Sequence, residues 1–193
     1  MKISTEDVSL ILRAFRFAAI KHRDQRRKDE RASPYINHPI AVAETLWEIG
    51  GIRDVTIIVA GILHDIVEDT DTSPEELERA FGARICSIVK ELTDDKHLPN
   101  SVRKRLQLQN VAELSAPARQ VRIADKISNL EDIIHSPPAG WSLERREGYV
   151  DWARMVIEGL RGSNHALEKY FGELYAEAVE RLEKEKATLA GDR

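Results

Sequence analysis

The sequence predicts an all-α protein, a single compact bundle of many helices. Apolar residues recur at helical spacing through most of the 193 residues, and turn signals separate the apolar segments cleanly. The one β-branched run, residues 55–59, continues through four more residues with no turn signal, which is long for a strand. A chain of this length fits one domain, residues 1–193, and can bury a core without crosslinks.

Composition and charge argue against several classes of partner. Hydrophobic residues make up 42% and charged residues 32%, as in soluble globular proteins, and the net charge is −4. Nothing global attracts nucleic acid or an anionic membrane, and no segment resembles a signal peptide or a membrane span. Cys86, the single cysteine, cannot form an internal disulfide. We expect a cytoplasmic protein with no nucleic-acid or membrane partner; the oligomeric state stays open, a homodimer included.

Capping signals place the helices of the N-terminal half. Ser4 and Asp7 form a capping arrangement for a first helix, and the charged stretch 22–33 is typical of a loop. His38 is expected at an N-cap with Pro39 at the first helical position, in a helix ending near residue 50. Asp54 then caps residues 55–68, which are apolar on nearly every side and predict the central buried helix.

Similar signals continue through the C-terminal half. The run Ser73-Pro74-Glu75-Glu76 combines an N-cap, a first-position proline and an acidic first turn. The helix that it begins stops at Gly82. The further helices are predicted over residues 83–92, 101–114, 117–134, 142–160 and 164–189. The loop 136–140 is too short to link domains, and residues 176–193 are expected to form a solvated helix or tail.

The chemistry of the sequence is concentrated around His64 and Asp65. Burial of an imidazole and a carboxylate at the end of the most hydrophobic segment is costly unless a partner neutralises them. A divalent cation is such a partner, because imidazole and carboxylate both bind manganese, iron or zinc. In a continuous helix His64 and Glu68 share one face, and Asp65 and Asp69 share the adjacent face. The spacing therefore predicts two rows of acid and base groups directed toward one pocket.

Two further ligands are needed, and the residues alone offer candidates. His38 lies in PYINHP, and Asp125 lies in RIADKISNL with Asn129 four residues later. A single histidine at a helix start is more often a surface residue, and a single aspartate in a helix is more often solvated. These two assignments need support beyond spacing.

Several motifs in order supply that support. The segments HRDQRRK, SPYINHPIAVA, GILHDIVEDTDT, FGARICSIVKELTDDK and RIADKISNLED resemble the hydrolase domain of RelA/SpoT proteins, a branch of the HD-domain phosphohydrolases. The likeness is strongest to the free-standing small alarmone hydrolases of the metazoan SpoT-homologue type. It covers about residues 18–167 and includes GWSLERREGYVDWA and GLRGSNHALE.

The resemblance implies a manganese site formed by His38, His64, Asp65 and Asp125. It also implies hydrolysis of the 3′-pyrophosphate of guanosine tetra- or pentaphosphate (ppGpp or pppGpp) to GDP or GTP and pyrophosphate. Two neutral imidazoles and two carboxylates balance a divalent charge and leave the metal able to activate water. Glu68 and Asp69 are expected to position or deprotonate that water, since carboxylates at a helix C-terminus oppose the helix dipole and are poorly explained by stability.

A polyanionic substrate requires basic and aromatic groups around the pocket. By resemblance, Arg27 and Lys28 hold the purine and phosphates, and Asn129 contacts the sugar or phosphate side. The remaining candidates are Lys96 and Arg103 for phosphate and Tyr149 near the nucleotide, although a tyrosine beside Trp152 is more often part of a helix-packing core. For the basic residues Arg26, Lys104 and Arg105, a solvated surface position is the prediction.

The chain departs from the family pattern at one position. Relatives often carry an arginine after the Asn-Leu pair, where this chain has Glu131. Asp132 replaces a threonine of the longer synthetase-bearing members but matches the small hydrolases. The departure leaves the predicted metal site intact and concerns local phosphate or base contacts only.

Other functions compete with this hypothesis. Hydrolases of this type can resemble NADPH 2′-phosphatases, other HD proteins act on deoxynucleotides or cyclic nucleotides, and composition and spacing do not separate these substrates. A nucleotide-binding regulator without catalysis is less favoured, since every inferred ligand and both acids are present. We expect no synthetase activity, because no residues remain beyond the hydrolase likeness to form that domain.

Overall fold

The chain folds into helices joined by loops, as the apolar periodicity predicts, and the longest loop within residues 3–191 is the charged stretch between α1 and α2. The computed structural model describes residues 3–191, and in that range the backbone forms no strand and one isolated antiparallel bridge, between Arg26 and Pro34. The α-helices are α1 (Thr5–Lys21), α2 (Asn37–Glu44), α3 (Val55–Leu63), α4 (Ile66–Asp69), α5 (Pro74–Phe81), α6 (Ala83–Leu92), α7 (Asn100–Asn110), α8 (Ala116–His135), α9 (Leu143–Gly159) and α10 (His165–Gly191). A π-helical turn, Thr45–Ile49, extends α2, and a 3₁₀ turn, Val111–Glu113, extends α7.

The centre of the core is α3, as predicted. Eight of its nine residues are buried, and it packs against α1, α2, α6 and α8. Gly61 permits a close approach between α3 and the turn after α2, because a Cβ there would lie 2.6 Å from Leu46 Cδ1. This packing brings the C-terminal end of α3 next to α2 and α8.

Three predicted helix starts are confirmed by their caps. Ser4 Oγ accepts from the Asp7 amide at 3.1 Å, and Asp7 Oδ2 accepts from the Ser4 amide at 2.9 Å. Asp54 Oδ1 accepts from the Thr56 amide at 2.9 Å. Ser73 Oγ accepts from the Glu76 amide at 3.2 Å, with Pro74 at the first helical position. Each cap satisfies an amide that the first turn leaves free.

Two predictions about helix geometry are wrong. His38 is not an N-cap: α2 begins at Asn37, its first turn has no side-chain cap, and the His38 ring is buried. Residues 55–68 do not form one helix, because α3 ends at Leu63 and α4 begins only at Ile66. The two deviations concern the two histidines of the predicted metal site. His38 in the first turn of α2 and His64 directly after α3 are both buried.

The C-terminal helix is less solvated than predicted. Ala178 and Leu182 are buried, and the Arg146 guanidinium of α9 binds Glu185 through two nitrogens. The expected solvated segment 176–193 is therefore packed on one side through Leu182, because apolar residues four apart keep one face of α10 inward. Residues 192–193 lie outside the described residues. Among residues 3–191, no helix has both the length and the apolar character that a bilayer crossing requires.

Candidate metal centre and active-site cleft

Three segments that are distant in sequence bring the four predicted metal ligands together. His38 comes from the first turn of α2, His64 and Asp65 from the junction between α3 and α4, and Asp125 from the middle of α8. The Nε2 atoms of His38 and His64 lie 3.3 Å apart. Asp65 Oδ2 lies 3.1 Å from His64 Nε2, and Asp125 Oδ1 lies 3.4 Å from His38 Nε2. Each of the two carboxylates therefore lies within 4 Å of both imidazole nitrogens, and the donor atoms of His38, His64 and Asp65 all lie within 4.8 Å of one another.

The outer nitrogens of both imidazoles are already occupied. His64 Nδ1 lies 2.8 Å from the Gly61 carbonyl oxygen, which can only accept, so Nδ1 carries the hydrogen. His38 Nδ1 lies 3.0 Å from Ser128 Oγ. In neutral His64 the Nε2 atom therefore carries a free lone pair. This atom lies next to the Nε2 atom of His38 and the carboxylates of Asp65 and Asp125. Such a donor set fits a divalent metal ion, and outer-nitrogen hydrogen bonds of this kind orient histidine ligands.

The imidazoles and carboxylates of the cluster shift one another's pKa values. Burial lowers the pKa of His64, but Asp65 and Asp125 overcome this effect and raise it to about 9. Burial would raise the pKa of Asp65, yet the adjacent His64 holds that pKa well below its usual range. The pKa of Asp125 is likewise low, because Lys126 and the imidazoles outweigh its burial. A bound dication would supply the charge that a proton on His64 otherwise provides.

The break between α3 and α4 explains how adjacent residues face one point. In a continuous helix neighbouring side chains diverge by about 100°. Here Asp65 has φ −95° and ψ 0°, outside the regular helix, and the His64 side chain engages the Gly61 carbonyl. The two predicted rows, His64 with Glu68 and Asp65 with Asp69, therefore do not share continuous helical faces. The six residues nevertheless remain in one region, because α4 follows the break directly.

Glu68 and Asp69 lie beside the ligands, each bound to a cation. Glu68 Oε2 accepts from the Asp94 amide at 3.0 Å, and Oε1 lies 3.1 Å from an Arg103 nitrogen. Burial raises the pKa of Glu68 to about 7. Asp69 pairs with Lys96 through Oδ1. The two predicted acids are thus held by two of the predicted phosphate-contact residues.

A cleft of about 440 Å³ opens over this centre. Its lining contains every site residue that the sequence predicts except His64, whose ring is buried. The predicted residues on the lining are His38, Asp65, Glu68, Asp69, Asp125, Arg27, Lys28, Lys96, Arg103, Asn129 and Tyr149. Acids and metal ligands therefore share one solvent-accessible space with basic side chains.

Arg27 is connected to the metal centre through a chain of hydrogen bonds. Its guanidinium donates to Asn129 Oδ1 at 2.9 Å and, through Nε, to Asp132 at 2.9 Å. Asn129 Nδ2 in turn donates to Asp125 Oδ1 at 2.6 Å. Two predicted substrate-contact residues thus also orient a predicted metal ligand.

One wall of the cleft combines aromatic rings with amines. Tyr149 lies between Trp141 and Trp152, with ring centroids 5.8 Å and 5.5 Å away. Lys104 Nζ lies 4.7 Å from the centre of the Trp152 ring, so its predicted solvated position is wrong. The missed signal is the spacing of Tyr149 and Trp152, three residues apart on one face of α9, which fits a cleft wall as well as a helix-packing core.

Further cleft residues escaped the sequence reasoning. The Tyr35 hydroxyl donates to Asp65 Oδ2, and burial keeps the pKa of Tyr35 well above its usual value. Lys126 Nζ lies 2.9 Å from Asp125 Oδ2 and 4.5 Å from the centre of the Trp152 ring. Tyr35 precedes His38 by three residues and Lys126 follows Asp125, so proximity in sequence was the available signal.

Glu131, the departure from the family pattern, points away from the cleft. Its Oε1 accepts from the Tyr170 hydroxyl of α10 at 2.9 Å, and it is absent from the cleft lining. Glu131 therefore joins α8 to α10 and takes no part in the lining of the cleft.

Comparison with known proteins defines the class. A family model described as HD domain matches residues 14–155, and the chain belongs to this family. It is 46% identical over 175 residues to the guanosine-3′,5′-bis(diphosphate) 3′-pyrophosphohydrolase MESH1 of Danio rerio, which covers 91% of this chain and 97% of that protein. The identity to the Homo sapiens MESH1 protein is 47% over 169 residues, covering 88% of this chain and 94% of that protein.

Solved structures agree with this membership. A structure described as a metazoan ortholog of SpoT that hydrolyzes ppGpp matches with a TM-score of 0.86 and 42% identity, covering 92% of this chain and 97% of that one. A Listeria monocytogenes structure matches with a TM-score of 0.60 and 28% identity, covering 74% of this chain and 93% of that one. The helical architecture is thus shared along nearly the whole length of the first of these structures.

Proposed function

We propose that the protein hydrolyses the 3′-pyrophosphate of guanosine tetra- or pentaphosphate, producing GDP or GTP and pyrophosphate. The observation that carries the proposal is the convergence of His38, His64, Asp65 and Asp125 at a cleft whose walls are basic and aromatic. The substrate follows from the relatives, which are named as 3′-pyrophosphohydrolases of this nucleotide.

The four converging residues would hold one divalent metal, and we propose manganese. Two imidazole nitrogens and two carboxylate oxygens also suit iron, cobalt or zinc, so availability contributes to the choice. When bound, the ion supplies positive charge that polarises a phosphoryl oxygen and acidifies water. Tyr35 and Asn129 fix the orientation of the two carboxylate ligands through hydrogen bonds.

The acids next to the ligands would manage the protons. Water attacks the phosphorus attached to the 3′-oxygen, so a new bond from phosphorus to the water oxygen forms as the bond to the 3′-oxygen breaks. The products are pyrophosphate, which keeps the water oxygen, and a 3′-hydroxyl, which takes up the proton that the water loses. Glu68 accepts the proton of the attacking water, because a carboxylate with a pKa near 7 is a competent base at neutral pH. Asp69 shares this proton work and helps to hold the water.

The basic side chains would bind the phosphates and the base. Lys96 and Arg103 reach the same carboxylates that act on the water, so they are placed to contact the reacting phosphate. Arg27 and Asn129 lie next to Asp125, and Lys28 and Tyr149 line the cleft beside Trp141.

Two alanine substitutions test this division of labour. Asp65→Ala should abolish turnover of ppGpp and reduce the metal content of the purified protein, because it removes a ligand. Glu68→Ala should abolish turnover with metal content retained. Arg105→Ala, at an exposed position of α7, is the matched control and should behave like the unaltered protein. A near-normal rate in Asp65→Ala or Glu68→Ala would refute the assigned mechanism.

A further inference from the structure

His22 is a buried histidine that the proposed mechanism does not use. It lies directly after α1, is 3% exposed and is absent from the lining of the cleft. His22 Nδ1 lies 2.6 Å from Gln25 Oε1, and Gln25 Nε2 lies 2.7 Å from Asp69 Oδ2. One buried side chain is therefore connected to a proposed proton-handling acid through a single amide.

The direction of these two bonds follows from the carboxylate. Asp69 pairs with Lys96 as a carboxylate and can only accept, so Gln25 must present its amide nitrogen to it. The Gln25 oxygen then faces His22 and also can only accept. His22 Nδ1 must consequently carry the hydrogen. The orientation of all three groups is determined by the charge on Asp69.

The second ring nitrogen of His22, Nε2, contributes no hydrogen bond within residues 3–191. This nitrogen is buried. Burying an unpartnered polar nitrogen is unfavourable, and an apolar ring of similar size would avoid the penalty. Apart from ring packing, the bond to Gln25 is the one evident benefit of an imidazole at this position.

We propose that His22 is a positioning residue for hydrolysis, holding the Asp69 carboxylate in place through Gln25. The inference rests on the proposed function. Asp69 has a second partner, Lys96, but the Lys96 side chain is 48% exposed and is a proposed ligand of substrate phosphate. When Lys96 turns to the substrate, the bond from Gln25 remains to fix the carboxylate. Asp69 is the last residue of the four-residue helix α4, so the helix backbone alone holds its carboxylate weakly.

Ring packing is the alternative role for His22. Its ring lies 4.8 Å from that of Tyr35 at an interplanar angle of 31°, and Tyr35 donates to Asp65. Two substitutions separate packing from hydrogen bonding. His22→Phe keeps a ring against Tyr35 but lacks the donor, whereas His22→Asn keeps a donor near the Nδ1 position but lacks the ring.

Steady-state kinetics of the metal-loaded full chain with ppGpp test the proposal. His22→Phe should lower kcat by about 10- to 100-fold, the usual effect of losing an orienting partner, with KM changed by less than about 3-fold. His22→Asn should restore kcat to within about 3-fold of the unaltered protein. A normal kcat in His22→Phe, or equal losses in both variants, would overturn the proposal.

A double substitution keeps the test valid if one variant folds poorly. Gln25→Met removes the amide and nearly preserves the side-chain length, so it should lower kcat as His22→Phe does. The pair His22→Phe/Gln25→Met should lose no more than either single variant, because both changes break the same connection. Multiplicative losses would show that the residues act separately and would reject the connection.

Asp69→Asn distinguishes failure of this inference from failure of the proposed function. Normal turnover in Asp69→Asn would show that the Asp69 carboxylate is not needed for hydrolysis. The proposed positioning role of His22 would then fail as well. Reduced turnover in Asp69→Asn together with a normal kcat in His22→Phe would reject the positioning role alone and leave the proposed function intact.

Discussion

Glu68 controls the residue-scale chemistry, because its protonation determines whether a base is available. Its side chain is 15% exposed and burial raises its pKa to about 7. A general base must be deprotonated, so activity is lost as pH falls through this pKa and gained as pH rises. A bound dication favours the carboxylate, so in the metal-loaded enzyme the transition lies at or somewhat below pH 7.

We therefore predict that kcat/KM for ppGpp rises tenfold per pH unit on the acidic side and levels off near neutrality. The measurement is a rate profile from about pH 5 to pH 8 at constant metal loading. Glu68→Gln provides the comparison, because its residual rate should lack this transition. A flat profile in the unaltered enzyme would contradict the assignment of Glu68 as base.

Lys96 allows binding to be separated from proton transfer. Its amine pairs with Asp69 at a half-exposed position, so its removal should cost less than about 1 kcal/mol of folding stability. Loss of a charged contact to phosphate should raise KM by about 10-fold or more, with a smaller change in kcat. Lys90→Ala, on the exposed face of α6, is the control. An unchanged KM in Lys96→Ala would remove this residue from the substrate site.

At the scale of elements, the sequence predicts the helix N-caps but does not predict the break between α3 and α4. Ser4, Asp54 and Ser73 precede apolar periodicity, and each makes the expected bond within three residues. No glycine or proline follows α3, because the next two residues are His64 and Asp65. The end of α3 depends on His64 reaching the Gly61 carbonyl and on interior partners from other helices, which local pattern does not contain.

Gly159 of α9 is crowded by the 3₁₀ turn after α7, and Gly172 of α10 is an uncrowded helical glycine for comparison. A Cβ on Gly159 would lie 2.4 Å from Val111 Cγ1, a side chain with restricted rotamers, whereas a Cβ on Gly172 meets nothing within 4 Å. Gly159→Ala should destabilise by about 1 kcal/mol, because overpacking outweighs the gain in helix propensity. Gly172→Ala should stabilise by about 0.5–1 kcal/mol. Chemical denaturation measures both, and a stabilised Gly159→Ala would contradict the described contact.

At the scale of the whole molecule, the site depends on the packing of α2, α3 and α8. The sequence alone identified His64 and Asp65, because an imidazole and a carboxylate end its most apolar segment. His38 and Asp125 were secured by family resemblance, since the contacts that join them span 87 residues of chain. Their convergence agrees with the predicted ligand set, and their role as ligands stays a prediction.

The aromatic wall and the connections behind the acids could not be predicted for the same reason. Lys104 and Trp152 belong to different helices, and Gln25 reaches Asp69 across 44 residues. A solvated position for Lys104 was reasonable from α7 alone, whose residues are all at least partly exposed. Only the docking of α9 against α7 reveals that this lysine faces the cleft.

The central claim is metal-dependent hydrolysis of a guanosine 3′-pyrophosphate at this cleft. The most direct measurement is turnover of the purified full chain, stripped of metal and then reconstituted with manganese, against a panel containing ppGpp, pppGpp and NADPH. We predict no turnover without metal, and with manganese the release of GDP or GTP and pyrophosphate in equal amounts. Turnover of NADPH with none of either guanosine nucleotide, or full activity in the metal-free protein, would contradict the account.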